Sequence, residues 1–217
     1  MKSIIVGTTD LAKLLFFHIQ RMNAVEVAAF SVNTAYLNGS EFLDRPLVAL
    51  ENIEKEYSPR DFGIFVAVGY NNMNLSRKKI FDELKTKGYK IESFIHPTAT
   101  VETQDLGEGN IIFQNVLIDA FCEVGNGNIF YANSMLAHDS VVGNFNFFGV
   151  HACVCGNVKI RDFCFLGANC VVRNSVCVEN KTLVGASAYL DKDSFEDQVI
   201  VPSRSEVFYK KSSELVL

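Results

Sequence analysis

The sequence predicts a small α/β domain of Rossmann type with a parallel sheet, followed by a parallel β-helix of hexapeptide repeats. Three observations carry this expectation. From Leu106 to Leu190 an aliphatic or phenylalanine side chain recurs at every sixth residue, through Ile112, Ile118, Val124, Phe130, Leu136, Val142, Phe148, Val154, Ile160, Leu166, Val172, Val178 and Val184. Six is neither a helical period nor an ordinary strand period, and a fixed short repeat of this kind marks a β-helix. The residue after the anchor is glycine at Gly107, Gly125, Gly143, Gly149, Gly167 and Gly185, and the fourth after it is small or β-branched at positions such as Val116, Cys122, Ser134, Ser140, Ala152 and Val158. Residues 1–93, by contrast, carry no hexads and alternate short apolar runs with amphipathic ones.

Each hexad supplies one short flat strand and a turn, so three hexads close a triangular coil of about eighteen residues, stacked on the next at the interstrand spacing. Fifteen anchors then fill a prism of about five coils, roughly 24 Å tall. Proteins built on six-residue repeats wind left-handed, against the usual rule for parallel crossovers, and a left-handed coil is expected here on that likeness.

In the first domain, Ser3 to Val6 reads as a strand ending at Gly7, and Asp10 to Arg21 as a helix. Val25 to Phe30 and Phe62 to Val68 read as further strands, the latter closed by Gly69; Arg77 to Lys87 reads as a helix and Ile91 to Ile95 as a last strand. Alternating strand and helix implies a parallel sheet. The turn residues His96-Pro97-Thr98 mark the change of period, dividing residues 1–93 from 94–217. Gly7, Thr8 and Thr9 form the loop after the first strand, where such sheets take phosphates or nucleotides. The loop lacks a full G-x-G-x-x-G, and an ordinary strand-to-helix turn accounts for it equally well.

With 217 residues, 48% hydrophobic, 21% charged and a net charge of −5, the chain reads as a soluble protein with no nucleic-acid or anionic-membrane partner. No segment approaches a membrane span, and the start MKSIIVGTTD lacks the apolar stretch and cleavage site of a signal peptide, so a cytoplasmic location is expected. Of six cysteines, Cys122, Cys164 and Cys170 fall on the small inward position, where a thiol packs as a small hydrophobe. Cys153 and Cys155 form a C-x-C without metal-site spacing. Reduced structural thiols are expected, and no metal: a zinc site needs three converging histidines, and the repeats offer His138 and His151 alone. His18, in a helix beside Phe16 and Phe17, reads as structural, and His96, before Pro97, as a turn residue.

Because a coil takes eighteen residues, residues eighteen apart stack in columns. One column is Ala120, His138, Gly156, Asn174; the next is Phe121, Asp139, Asn157, Ser175. A histidine with a bare glycine one rung above has clearance beside its ring, and an adjacent carboxylate can hold one imidazole tautomer. At a neighbouring corner, Gly149, Gly167 and Gly185 with Val150, Ala168 and Ala186 form a strip of small residues along which a long thin ligand such as pantetheine could lie; corner glycines that only satisfy tight turns give the same pattern.

The segments Leu136-Ala-His-Asp-Ser-Val-Val-Gly-Asn-Phe145, Cys155-Gly-Asn-Val-Lys-Ile160 and Phe165-Leu-Gly-Ala168, with the Ile95-His-Pro-Thr-Ala99 junction, resemble the hexapeptide-repeat sugar acyltransferases, which include sialic acid O-acetyltransferases and bacillosamine-pathway N-acetyltransferases. The resemblance covers essentially the whole chain. It implies His138 as catalytic base with Asp139 beside it, and acyl-CoA contacts at Gly156, Ala168 and Ala186. It implies a homotrimer with the donor, acetyl-CoA, between adjacent prisms, and a sugar or nucleotide-sugar acceptor held partly by the first domain through Gly7, Thr8, Thr9 and Asn33. N-acetylation of a nucleotide-linked amino sugar is the leading expectation; O-acetylation of a sugar or glycan, and a non-catalytic trimeric scaffold, are the alternatives. The chain departs from the family's pattern at Phe147, where a second histidine is common, in Gly7-Thr-Thr-Asp-Leu-Ala12, at Phe30-Ser-Val-Asn33, where acidic residues are common, and in the tail Val199-Ile-Val-Pro-Ser-Arg204.

Overall fold

A computed structural model describes residues 2–23, 25–205, 209 and 213; the far end of the predicted second domain lies outside the described residues. The amino-terminal sheet contains β1 (Lys2–Val6), β2 (Val27–Val32), β3 (Glu41–Phe42), β4 (Arg45–Ala49), β5 (Phe62–Val66) and β6 (Lys90–Ile91) in the order β3-β4-β2-β1-β5-β6. All pairings are parallel except the β3–β4 hairpin. Helices α1 (Asp10–Met22), α2 (Ile53–Glu56) and α3 (Leu75–Thr86) complete the domain. Central strand β1 buries Ile4, Ile5 and Val6 together, as a strand covered on both faces must.

Two details differ from the sequence expectation. The run Ile91 to Ile95 is two strands: Ile91 pairs with β5, whereas Phe94–Ile95 pairs with Ile111–Ile112 and opens the β-helix. The β3–β4 hairpin carries no glycine or asparagine in its turn; Leu43 and Asp44 take positive φ values of 50° and 57°, so the usual hairpin signal is missing.

The second part is a left-handed parallel β-helix of two-residue strands. Among the described residues its first face has seven strands, from Phe94–Ile95 to Val199–Ile200; its second has six, from Thr100–Val101 to Tyr189–Leu190; its third has five, from Asp105–Leu106 to Cys177–Val178. The anchors from Ile112 to Leu190 are buried in one continuous core, with Leu106 packed at its end. Inside it the rings of Phe130 and Phe148 stack one coil apart, 4.1 Å between centroids. Coiling starts at Phe94, ahead of the first anchor, because the first turn is shorter: Ile95 pairs with Ile112, seventeen residues on, rather than eighteen. The last turn shortens again, with Val184 against Ile200.

Two features recur at the corners. The third residue after the anchor takes a left-handed backbone, as at Asn115, Asn133, Asp139, Asn157 and Asn169, which favours residues that tolerate positive φ. The carbonyl just after the anchor often turns into the core and needs a donor there. Asn110 supplies Gly107 and Gly125, Asn128 supplies Gly143, Cys122 supplies Ala137, Ser140 supplies Cys155 and Cys164 supplies Glu179. The inward thiols are therefore weak donors as well as small hydrophobes. All six cysteines are unpaired, and burial pushes the thiols of Cys164 and Cys170 up to about 12, which keeps them unreactive.

The outward residues decide what each face does. On the first face Phe94, Ile111, Ile129 and Phe147 are buried beneath Leu11, Leu15, Phe16 and Ile19 of α1. The second presents Leu117, Met135, Cys153, Val171 and Tyr189, none of them fully covered. The third presents Asp105, Glu123, Val141, Lys159 and Cys177. Arg77 of α3 joins the domains: buried to 1% exposure, it donates to Gly127 O at 2.8 Å and Asn146 O at 3.1 Å on the β-helix, and to Gly69 O at 2.8 Å and Val68 O at 3.2 Å after β5. Burial lowers its guanidinium to about 9, which leaves it charged at neutral pH. Asn74 adds a bond to Cys164 O at 3.1 Å.

Arg77→Met keeps the stem but strands buried carbonyls on both sides, and is expected to lower stability by about 3 kcal/mol in urea unfolding followed by fluorescence and circular dichroism. A second expectation concerns His18, which is buried and held below its ordinary value by burial first, then by His96 and Arg21. The folded chain resists a proton that the unfolded chain accepts, so this contribution is complete above about pH 6.5 and declines as pH falls below it. The urea midpoint should drop between pH 7 and pH 5.5, and His18→Gln should flatten that part of the drop.

Candidate active site

The corner between the second and third faces carries His138 and Asp139. Leu136 anchors the turn inside, and two residues on the chain has left the strand, so the imidazole projects outward with more than half its side chain exposed. Asp139 sits at the left-handed position, φ 57°, a conformation aspartate accepts readily. Its Oδ2 lies 2.8 Å from His138 Nδ1. A carboxylate without a proton can only accept, so Nδ1–H donates and Nε2 is left with a lone pair.

One rung above, Gly156 closes against the ring. A Cβ on Gly156 would lie 2.8 Å from both Cε1 and Nε2 of His138. Its φ lies outside the left-handed range, so space rather than backbone conformation demands glycine here. The N–H of Gly156 has no hydrogen-bond acceptor among the described residues. A lone-pair nitrogen and an unpaired amide thus lie next to each other at an open corner, the two elements an acyl transfer needs.

Ala168 and Ala186 are exposed in one column with Val150, at the corner between the first and second faces. Beneath them the glycines allow coils to approach: a Cβ on Gly149 would lie 2.7 Å from Ala168 N, and one on Gly167 2.5 Å from Ala186 N. This strip and the His138–Gly156 pair stand on opposite edges of the second face, about six residues of strand or roughly 18 Å apart. A single prism does not bring them onto one ligand's reactive end.

In the first domain, Gly7, Thr8, Thr9 and Asn33 gather at the carboxyl edge of β1 and β2. Gly7 is structural: φ is 126°, a Cβ would lie 2.4 Å from Ala67 O, and its N–H is bonded to Ser31 O. Thr8 is partly exposed and Thr9, the residue before α1, makes no side-chain cap. Two groups at this edge were not singled out from the sequence. Glu51, reaching back from beyond β4, accepts from Thr34 N at 3.0 Å and Thr34 Oγ1 at 2.8 Å and lies 3.4 Å from Asn33 Nδ2. Burial alone would raise its carboxyl, but these bonds outweigh burial and hold it below its ordinary value. Tyr70, after β5, stands half-exposed with its ring edge-on to Phe147 and Phe165, at 5.0 Å and 4.9 Å. The strand-end rule could have pointed to Tyr70; nothing local in sequence ties Glu51 to Asn33. Phe147, where the resembled family commonly has histidine, packs in this aromatic cluster instead. His151 lies at the corner between the first and second faces, away from His138, and among the described residues no group of three or more His, Cys, Asp and Glu side chains is arranged for a metal ion.

Neither a protein-family model nor a curated protein matches the sequence. Solved structures do match the fold. The acetyltransferase domain of PglB from Neisseria gonorrhoeae, in complex with acetyl coenzyme A, is 22% identical, with TM-score 0.78 over 88% of this chain and 91% of that one. A histidine-to-alanine mutant of GDP-perosamine N-acetyl transferase from Caulobacter crescentus, in complex with CoA and GDP-perosamine, is 23% identical, with TM-score 0.81 over 92% of each chain. WeeI from Acinetobacter baumannii is 18% identical, with TM-score 0.73 over 89% of this chain and 92% of that one. The two-part architecture is thus one found among sugar acetyltransferases.

Gly156→Ala should leave the coil intact but push the imidazole aside. Long-range 1H–15N spectra of His138 should then lose the signature of an Nδ1–H held by Asp139, while Gly69→Ala, where an added Cβ meets nothing within 4 Å, leaves that signature in place.

Proposed function

We propose that the protein is an acetyl-CoA-dependent N-acetyltransferase acting on a nucleotide-linked amino sugar. The observation that carries this is the His138 ring, oriented by Asp139 and lying against Gly156. His138 Nε2 removes a proton from the acceptor amine as that nitrogen attacks the thioester carbonyl. Asp139 stabilises the imidazolium that forms. The Gly156 N–H polarises the thioester oxygen, a contribution of about 3 kcal/mol when aligned. The C–N bond forms, the C–S bond breaks, and the CoA sulfur leaves with the proton carried by His138. No acyl-enzyme is needed, because both substrates meet at the corner.

Placement of the donor supports a homotrimer. A pantetheine chain touching Gly156 of one prism runs past Ala168 and Ala186 of the next, which reconciles two strips that one prism keeps apart. The incompletely covered second face, Leu117 to Tyr189, supplies apolar surface for that contact. Residues 94–217 then hold the donor and residues 1–93 the acceptor, with Thr8, Thr9 and Asn33 near the nucleotide, Tyr70 forming a wall, and Gly7 shaping the loop. The PglB domain with acetyl coenzyme A and the Caulobacter enzyme with CoA and GDP-perosamine support donor and acceptor class alike. A cytoplasmic location belongs to this reading. No helix among the described residues is long and apolar enough to cross a membrane.

The test is CoA release from acetyl-CoA with UDP-, dTDP- and GDP-linked 3- and 4-amino sugars. At least one is expected to turn over, His138→Ala to lose at least about a hundredfold, and Asp139→Asn to lose less. Near-normal turnover by His138→Ala removes the histidine from the mechanism. Turnover only with hydroxyl acceptors makes the protein an O-acetyltransferase.

A further inference from the structure

Resting on the acyl-transfer assignment, we propose that Ser140 is a positioning residue that aims the Gly156 N–H at the thioester oxygen through the peptide joining Cys155 to Gly156. Ser140 is completely buried beneath the corner. Its hydroxyl lies 3.2 Å from Cys155 O and 3.4 Å from His138 O, and accepts from Val158 N at 3.1 Å. One side chain thus ties the rung of His138 to the rung of Gly156.

The geometry follows from peptide planarity. No peptide bond among the described residues is cis, so the Cys155 carbonyl and the Gly156 N–H point in opposite directions. Holding the carbonyl inward on Ser140 directs the N–H outward, beside the His138 ring. The same column shows how specific this is. Cys122 serves Ala137 O, just before His138, at 3.2 Å, and Ser140 serves Cys155 O, just before Gly156; Val158 and Val176 continue the column with no donor at all. One coil below His138, the N–H of Ala120 is taken by Asp119 Oδ1 at 2.8 Å, whereas that of Gly156 is left free among the described residues. The core is polar at this corner where two rungs must be held in register, and the amide it orients has no acceptor among the described residues.

The experiment is isotope-edited infrared difference spectroscopy of 13C-carbonyl acetyl-CoA bound to the full-length protein, with kinetics in parallel. Wild type should lower the thioester carbonyl frequency relative to free acetyl-CoA. Ser140→Ala should lose most of that lowering. Its kcat should fall about tenfold, less than the 10² to 10³ lost when an oxyanion donor is removed outright, with KM for acetyl-CoA within about twofold and the pH profile unchanged. Ser140→Cys, which copies the donor used at Cys122, should recover part of both. Ser134→Ala, which removes a buried hydroxyl bonded to Tyr131 O at another corner, should change neither. If Ser140→Ala does not fold, Ser140→Cys carries the test through its intermediate carbonyl shift. A full shift and full kcat in Ser140→Ala, an unaltered shift in Ser140→Cys, or an equal loss in Ser134→Ala overturns the role of Ser140. Failure of wild type to bind acetyl-CoA in calorimetry overturns the acyl-transfer assignment, and this role with it.

Discussion

Every coil in the regular part of the prism must return to its own corner after eighteen residues, because a parallel ladder of two-residue strands has no other way to satisfy its backbone. A one-residue slip would turn anchors outward and break the bonds to the coils on both sides. That register places Gly156 over His138, and neither residue has meaning without it. The same register stacks the phenylalanines of the core and sets the corner where Asp139 accepts a left-handed backbone while reaching the imidazole.

Closing such tight corners turns carbonyls inward, and the core must then be partly polar. Asparagine, serine, threonine and cysteine at the fourth position answer that need, each with one short donor. At the third-to-first corner the asparagines Asn110, Asn128 and Asn146 form a ladder in which each side-chain oxygen accepts the next backbone N–H, at 2.8 Å, 2.8 Å and 2.7 Å. Arg77 closes the outside of that same corner from α3. The first domain is therefore fixed against the prism by charge-assisted bonds to backbone, which side-chain substitution on the β-helix cannot remove. This rigid seat brings the carboxyl edge of β1, β2 and β5 to the aromatic patch of Tyr70, Phe147 and Phe165.

The repeat made the prism legible because its period is long, unbroken and foreign to other structures. Stacking the hexads in eighteens located Gly156 against His138 without coordinates, since vertical neighbours follow from arithmetic alone. The first and last coils escaped because seventeen- and sixteen-residue turns break that arithmetic. The β3–β4 hairpin escaped because Leu43 and Asp44 occupy left-handed positions that glycine or asparagine normally announce. Glu51, Arg77 and Tyr70 escaped for a more general reason. Arg77 and Tyr70 meet their partners through the packing of one domain on the other, and Glu51 meets Thr34 and Asn33 across the first domain, so no local pattern encodes any of these contacts. The inward cysteines were placed correctly in the core, but their hydrogen bonds to carbonyls depend on corner geometry that a spacing rule does not contain.

Donor, base and polarising amide meet, on this account, at one corner of one prism, with the strip of a neighbouring prism completing the channel. A crystal structure of the protein with acetyl-CoA tests that most directly. The account predicts the thioester oxygen about 2.7 to 3.1 Å from Gly156 N, with the carbonyl carbon open to the His138 side and the pantetheine arm along Ala168 and Ala186 of an adjacent copy. Acetyl-CoA bound away from Gly156, or held wholly by one prism, would contradict it.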